Sequence, residues 1–253
     1  MERKLKLELP FWLRSQMNRD MRQYLPNYIT FLSLGFGLVS IVLSVQEYIL
    51  LAGLFVLICS ILDSLDGYYA RKLDLESTFG FELDSLTDIV CFGVAPIVLI
   101  SQHLHLQGKF TFWLLPLFLI HIWSGAFRLA RFNLQPPKTS SNNGTMGLTI
   151  SQGGMVLALM ILSDIYHPGH SYSVAMIVIL VLLLDYLMVS KVSFPSVSWF
   201  VPHWSIYIVY LIAAVILTIV FSLFTMALIL WLCIMAASII RYLILTLRQE
   251  KVS

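Results

Sequence analysis

Eight apolar runs of roughly 17–25 residues follow one another along this chain, and nothing constrains its fold more. Wound into an α-helix, a run of that length matches the hydrocarbon thickness of a bilayer. The runs lie at about 28–45, 48–70, 82–104, 110–131, 147–165, 172–190, 204–222 and 226–246. Charged residues make up 12% of the 253-residue chain, about half the share usual in soluble domains. Water-soluble globular classes are thereby excluded. The expected fold is an all-α integral membrane protein of eight transmembrane helices.

The basic residues orient that map. Arg3, Lys4, Lys6, Arg14, Arg19 and Arg22 precede the first run, and Arg71 and Lys72 follow the second. Arg128, Arg131 and Lys138 close the fourth, Lys191 follows the sixth, and Arg241, Arg248 and Lys251 lie at the C-terminus. Lys109 alone falls on the other side. The positive-inside rule predicts both termini in the cytoplasm, in a cell (inner) membrane. Residues 1–25, charged yet carrying Leu5, Leu7, Phe11, Trp12, Leu13 and Met17, read as an interfacial amphipathic helix without a cleavage site. Residues 26–195 form the membrane core, and 196–253 add two C-terminal spans and a tail. Gln135–Gly144 reads as a flexible loop. Cys59, Cys91 and Cys233 fall within spans as small apolar fillers, and His103, His105, His167 and His170 as interfacial polar residues. Asp164, near the outer boundary, reads as solvated. His121 and Asp185 lie on helices where they are able to pair across the bundle.

Four carboxylates interrupt this apolar pattern. Asp63 and Asp66 lie three apart near the end of the second run, and Asp84 and Asp88 four apart at the start of the third. At helical spacing, two antiparallel helices present all four to one cleft. Burying four unpaired carboxylates at a membrane is untenable unless something neutralises them. Hard oxygen ligands suit a pair of divalent cations, Mg²⁺ or Mn²⁺, which complete their shells with water and phosphate. Gly67, Ala70 and Gly80 leave room for a ligand on the same faces, and Arg71 is placed to hold phosphate. The rival from another class is a cation transporter, but that predicts carboxylates at mid-bilayer, not at one interface beside an arginine.

The run D-x2-D-G-x2-A-R-x8-G-x3-D-x3-D, complete from Asp63 to Asp88, resembles the signature of the CDP-alcohol phosphotransferases. The resemblance implies that an alcohol hydroxyl attacks the β-phosphorus of a CDP-linked lipid and releases CMP. It implies Asp63, Asp66 and Asp84 as metal ligands, with Asp88 completing the site and acting as general base. Asn27 and Thr30, in L-P-N-Y-I-T, resemble the family's nucleotide-side motif; a helix cap at the membrane boundary is the alternative. No nucleic-acid partner is expected, and a homodimer is implied by resemblance alone.

Phe79–Pro96, Gly125–Asn133 and Tyr186–Pro195 are similar to the phosphatidylserine synthase branch of that family. The branch implies transfer of a phosphatidyl group from CDP-diacylglycerol, or an ether-lipid equivalent, to L-serine. Gly147-Leu148-Thr149-Ile150-Ser151 departs from the branch, which has prolines at this point. Another acceptor, glycerol 3-phosphate or inositol phosphate, therefore stays open. Arg128 and Arg131 suit bidentate carboxylate recognition, with Asn133 and Lys191 as further acceptor-side candidates. Their alternative reading is as anchors snorkelling to lipid headgroups.

Overall fold

The computed structural model describes residues 24–73, 75, 77–134, 144–166 and 172–195, with scattered positions between 228 and 240. Helix α1 (Leu25–Val45) buries Pro26, Thr30, Ser33, Gly37, Ser40 and Ser44, a stripe of small and polar residues spaced four and three apart. Its outward face carries Tyr28, Phe31, Leu32, Leu38, Val39 and Val42. That arrangement inverts the amphipathicity of a soluble helix, as expected where the surroundings are lipid and close packing needs small residues.

A tight turn with Glu47 at φ 69° leads into α2 (Ile49–Lys72). The hairpin is tied by Ser40 Oγ donating to the Ala52 carbonyl at 2.8 Å. Ser77 then caps α3 (Thr78–Asp88), accepting from Gly80 N at 3.0 Å. A π-helical stretch, Ile89–Val94, joins α3 to α4 (Ala95–Leu106). Together they make a 29-residue rod, Thr78–Leu106, whose apolar window is 61% buried against 28–44% for the other three long spans. This rod is therefore the centre of the described bundle. Close approaches seat it: a Cβ on Gly37 would lie 2.5 Å from Cys91 Sγ, and one on Gly154 2.6 Å from the Phe92 carbonyl.

A 3₁₀ turn (Phe112–Leu114) opens α5 (Leu115–Asn133), followed by α6 (Ile150–Tyr166) and α7 (Val174–Val189). Strands β1 (Gly144–Met146) and β2 (Ser193–Pro195) pair antiparallel, Thr145 opposite Phe194. This ribbon is a small departure from the all-α expectation. Gly147, at φ 78°, leaves it beside the Met188 carbonyl, where a Cβ would come within 2.4 Å.

Among the described residues, four helices are long and apolar enough to span a membrane, and α6 and α7 are shorter apolar helices. The protein is a multi-pass α-helical membrane protein. The six expected spans up to residue 190 match α1, α2, the rod, α5, α6 and α7 within a few residues at each end. Residues 1–23, 135–143 and the expected seventh span, 204–222, lie outside the described residues; of the eighth, scattered positions are described and are helical.

At the bundle end opposite the aspartates, two expectations are corrected. Asp164 is buried, not solvated, and sits 2.7 Å from His103 Nε2, itself buried rather than interfacial. Gln107 Nε2 and the Tyr172 amide also donate to Asp164. Joining α4 to α6 through one carboxylate satisfies a charge that water would otherwise have to solvate.

Candidate active site

Asp63 and Asp66 project from the last turns of α2, and Asp84 and Asp88 from α3. One carboxylate oxygen each from Asp63, Asp66 and Asp84 all lie within 4.8 Å of one another. Asp63 is also within hydrogen-bonding reach of Asp88, which is buried, and Asp88 Oδ1 has no partner. All four expected carboxylates are thus brought together.

Asp66 is held on both oxygens. Oδ1 accepts from the Gly67 amide at 2.6 Å, and Oδ2 from the Thr30 hydroxyl at 2.7 Å. Thr30 also lies 3.0 Å from the Pro26 carbonyl, and its single proton favours the charged acceptor. The helix-cap alternative for Asn27 and Thr30 fails, because α1 begins at Leu25 with Tyr24 as its cap residue. Asn27 instead meets α3: a Cβ on Gly80 would lie 2.9 Å from Asn27 Oδ1. Glycine at 80 is what lets α1 and α3 approach there. Arg71 lies back over Gly67, where a Cβ would come 3.2 Å from its Nη1, and its charge acts on Asp66 and Asp84. The Ala70 carbonyl accepts from Leu75 N at 2.9 Å and closes the end of α2.

The two arginines of α5 separate sharply. Arg128 is 6% exposed, and its charge acts on Asp88, Asp63 and Asp84. Among the described residues it forms no ion pair, Nε has no partner, and its one ring contact is with Phe132 at 5.4 Å. Phe132 stacks in turn on Phe81. Arg131 gives its donors to backbone: Nη1 to Val189 O at 2.7 Å, and Nη2 to the carbonyls of Met146, Met188 and Ser190 at 3.2–3.3 Å. Asn133 Nδ2 donates to Ser85 Oγ at 3.2 Å, beside Asp84 in sequence. Lys191 is exposed beyond the end of α7.

One feature near the cleft was not legible in the chain. Cys59, one turn below Asp63, and Cys91, one turn below Asp88, both donate to the Ser33 carbonyl, at 3.4 and 3.3 Å. Both are free and fully buried. They remain small packing residues, but they knit α1, α2 and the rod together under the carboxylates. The four- and three-residue offsets from the aspartates were the available signal.

Carboxylates are acceptors only, so oxygens this close repel unless a proton or cation lies between them. The donor set is all hard oxygen, one buried oxygen has no partner among the described residues, and Asp66 is oriented by the Thr30 hydroxyl and the Gly67 amide. These are the attributes of a site for a hard divalent cation.

A model of the CDP-alcohol phosphatidyltransferase family matches residues 23–194. A CDP-diacylglycerol–serine O-phosphatidyltransferase of Helicobacter pylori is 34% identical over 179 residues, covering 69% of this chain and 74% of the relative. One of Bacillus subtilis is 35% identical over 174 residues, covering 68% and 90%. An archaetidylserine synthase of Methanothermobacter thermautotrophicus is 31% identical over 177 residues, covering 69% and 70%.

Proposed function

The chain belongs to the CDP-alcohol phosphatidyltransferase family, and from that premise we propose that it is a CDP-diacylglycerol–serine O-phosphatidyltransferase. It transfers a phosphatidyl group to the hydroxyl of L-serine and releases CMP. A diether CDP-lipid is the equivalent donor if the host membrane is built of ethers.

The observation that carries the acceptor is Arg128: a buried cation beside the carboxylates, without an ion pair among the described residues. A guanidinium there acts on the carboxylates at a distance but makes no ion-pair contact among the described residues, and a planar carboxylate matches its fork. Asp63, Asp66, Asp84 and Asp88 would hold two divalent cations, Mg²⁺ or Mn²⁺. When bound, these neutralise the pyrophosphate and stabilise the charge that develops as its bridge breaks.

The chain's own residues do the rest. Gly67 and Ala70 leave space for the CDP headgroup, Arg71 holds its phosphate, and Gly80 seats Asn27 against α3 on the nucleotide side. Thr30 fixes Asp66. Arg128 receives the serine carboxylate and turns the hydroxyl toward Asp88. Asp88 accepts the hydroxyl proton as the oxygen attacks the β-phosphorus. The new P–O bond forms while the bond to the CMP phosphate breaks, with no covalent enzyme intermediate. Arg131, Asn133 and Lys191 line the acceptor side, Arg131 through the backbone it holds.

The cleft opens to the cytoplasm of a cell membrane, a reading supported by Arg71, Lys72, Arg128, Arg131 and Lys191 on its side. Residues 26–195 are the catalytic core. A homodimer accords with the family.

The test is an acceptor panel. Purified protein with CDP-diacylglycerol and Mg²⁺ or Mn²⁺ receives L-serine, glycerol 3-phosphate or inositol phosphate, and CMP is measured. Serine-dependent release that stops on chelation is expected. Release with a phosphorylated acceptor and none with serine overturns the assignment.

A further inference from the structure

Two turns below Arg128 on α5, a buried pair is left unused by this chemistry. His121 is 0% exposed and Asp185 4%, with Nδ1 and Oδ1 2.7 Å apart, so the pair links α5 to α7 in the apolar interior. Both outer atoms, His121 Nε2 and Asp185 Oδ2, are buried without a partner. A pair kept only for stability is poorly served by two orphaned polar atoms, and well-packed apolar residues would do as well or better. What a hydrogen-bonded pair supplies and apolar packing does not is a single register.

That register bears on Arg128. Residues 121, 124, 125 and 128 fall on one buried stripe of α5, at i, i+3, i+4 and i+7. The stripe has no slack: a Cβ on Gly125 would lie 2.3 Å from Ile150 Cδ1, and one on Gly153 of the facing α6 would lie 4.0 Å from His121 Cε1 and 2.2 Å from Met188 Cε of α7. One turn beyond Arg128, Arg131 fastens the same helix to the carbonyl end of α7. Helix α5 is thus pinned to α7 on both sides of an arginine that has no ion-pair partner among the described residues to fix it.

We infer that the His121–Asp185 pair is a positioning device: it fixes the axial position and rotation of α5, and so the point at which Arg128 meets the acceptor's anionic group. The inference rests on the assignment of Arg128 to the acceptor. His121 and Asp185 touch no reacting atom and are positioning residues.

The test uses full-length protein in liposomes containing CDP-diacylglycerol, with the KM for serine and for CDP-lipid measured separately. Two variants break the pair, His121→Leu and Asp185→Val, so that one remains if the other does not fold. His121→Asn, which keeps a polar nitrogen near the place of Nδ1, is the conservative replacement. The breaking variants are expected to raise the serine KM about tenfold with the CDP-lipid KM changed less than about twofold, and His121→Asn to stay within about threefold of the parent. An unchanged serine KM in folded protein of either breaking variant, whatever its thermal stability, overturns the inference; so does an equal rise in both KM values. Arg128→Lys separates the layers. If it leaves the serine KM unchanged, the acceptor assignment itself fails. If it raises it while the pair variants do not, only the positioning role falls.

Discussion

Thr30 Oγ1 donates to Asp66 Oδ2 at 2.7 Å, linking two helices across 36 residues of sequence. The hydroxyl fixes the second oxygen of a carboxylate whose first is held by the Gly67 amide, and so sets the plane in which it faces the cluster. Thr30→Val removes the donor while keeping the shape. It is expected to raise the divalent-ion concentration for half-maximal CMP release about tenfold, with Thr30→Ser near the parent value. Titration of Mn²⁺ against CMP release measures both.

Within the aspartate cleft, Asp88 is the carboxylate with a buried oxygen that has no partner among the described residues. Asp88→Asn keeps its size and removes its basicity. CMP release should fall by about a hundredfold or more while CDP-lipid still binds. Single-turnover release beside calorimetric binding distinguishes the two, and turnover within about threefold of the parent would remove the base role.

Gly80 allows Asn27 to lie against the first turn of α3. A Cβ there would meet Asn27 Oδ1 at 2.9 Å and Ser77 Oγ at 3.1 Å, disturbing the helix cap as well. Gly80→Ala should lower thermal stability and raise the CDP-lipid KM about tenfold. Adding Asn27→Ala relieves the collision, and is expected to restore the melting temperature but not the KM.

Asp164 serves the far end of the bundle. Its three-way attachment to His103, Gln107 and the Tyr172 amide holds α4 to α6. Asp164→Leu strands His103 and should cost about 3 kcal/mol of stability. The kcat/KM of the protein that remains folded should not change. A loss of activity at full stability would mean that this end takes part in catalysis.

The spans were legible because a run of apolar residues needs only length to declare a membrane helix. The aspartate cleft was legible for a related reason: offsets of three and four fix a shared helical face whatever the rest does. The π-helical stretch left no such mark, since it is set where Gly37 and Gly154 let neighbours close on Cys91 and Phe92. Likewise His103 and Asp164 are 61 residues apart, so each looks like an isolated polar residue in the chain, whereas His121 and Asp185, 64 apart, were legible as a pair because both fall inside apolar helices. Arg128 and Arg131, one turn apart at the same helix end, were indistinguishable until the carbonyls around Arg131 were seen.

The rod from Thr78 to Leu106 carries Asp84 and Asp88 at one end and His103 at the other. Its wide turns at Ile89–Val94 set the angular phase between them. Winding the same residues as an ordinary α-helix, with none removed, would swing one end by about 100° relative to the other. Either the carboxylates would leave the cleft or His103 would lose Asp164. The chain's two faces, one for chemistry and one for anchorage, are geared through a handful of residues that themselves bind nothing.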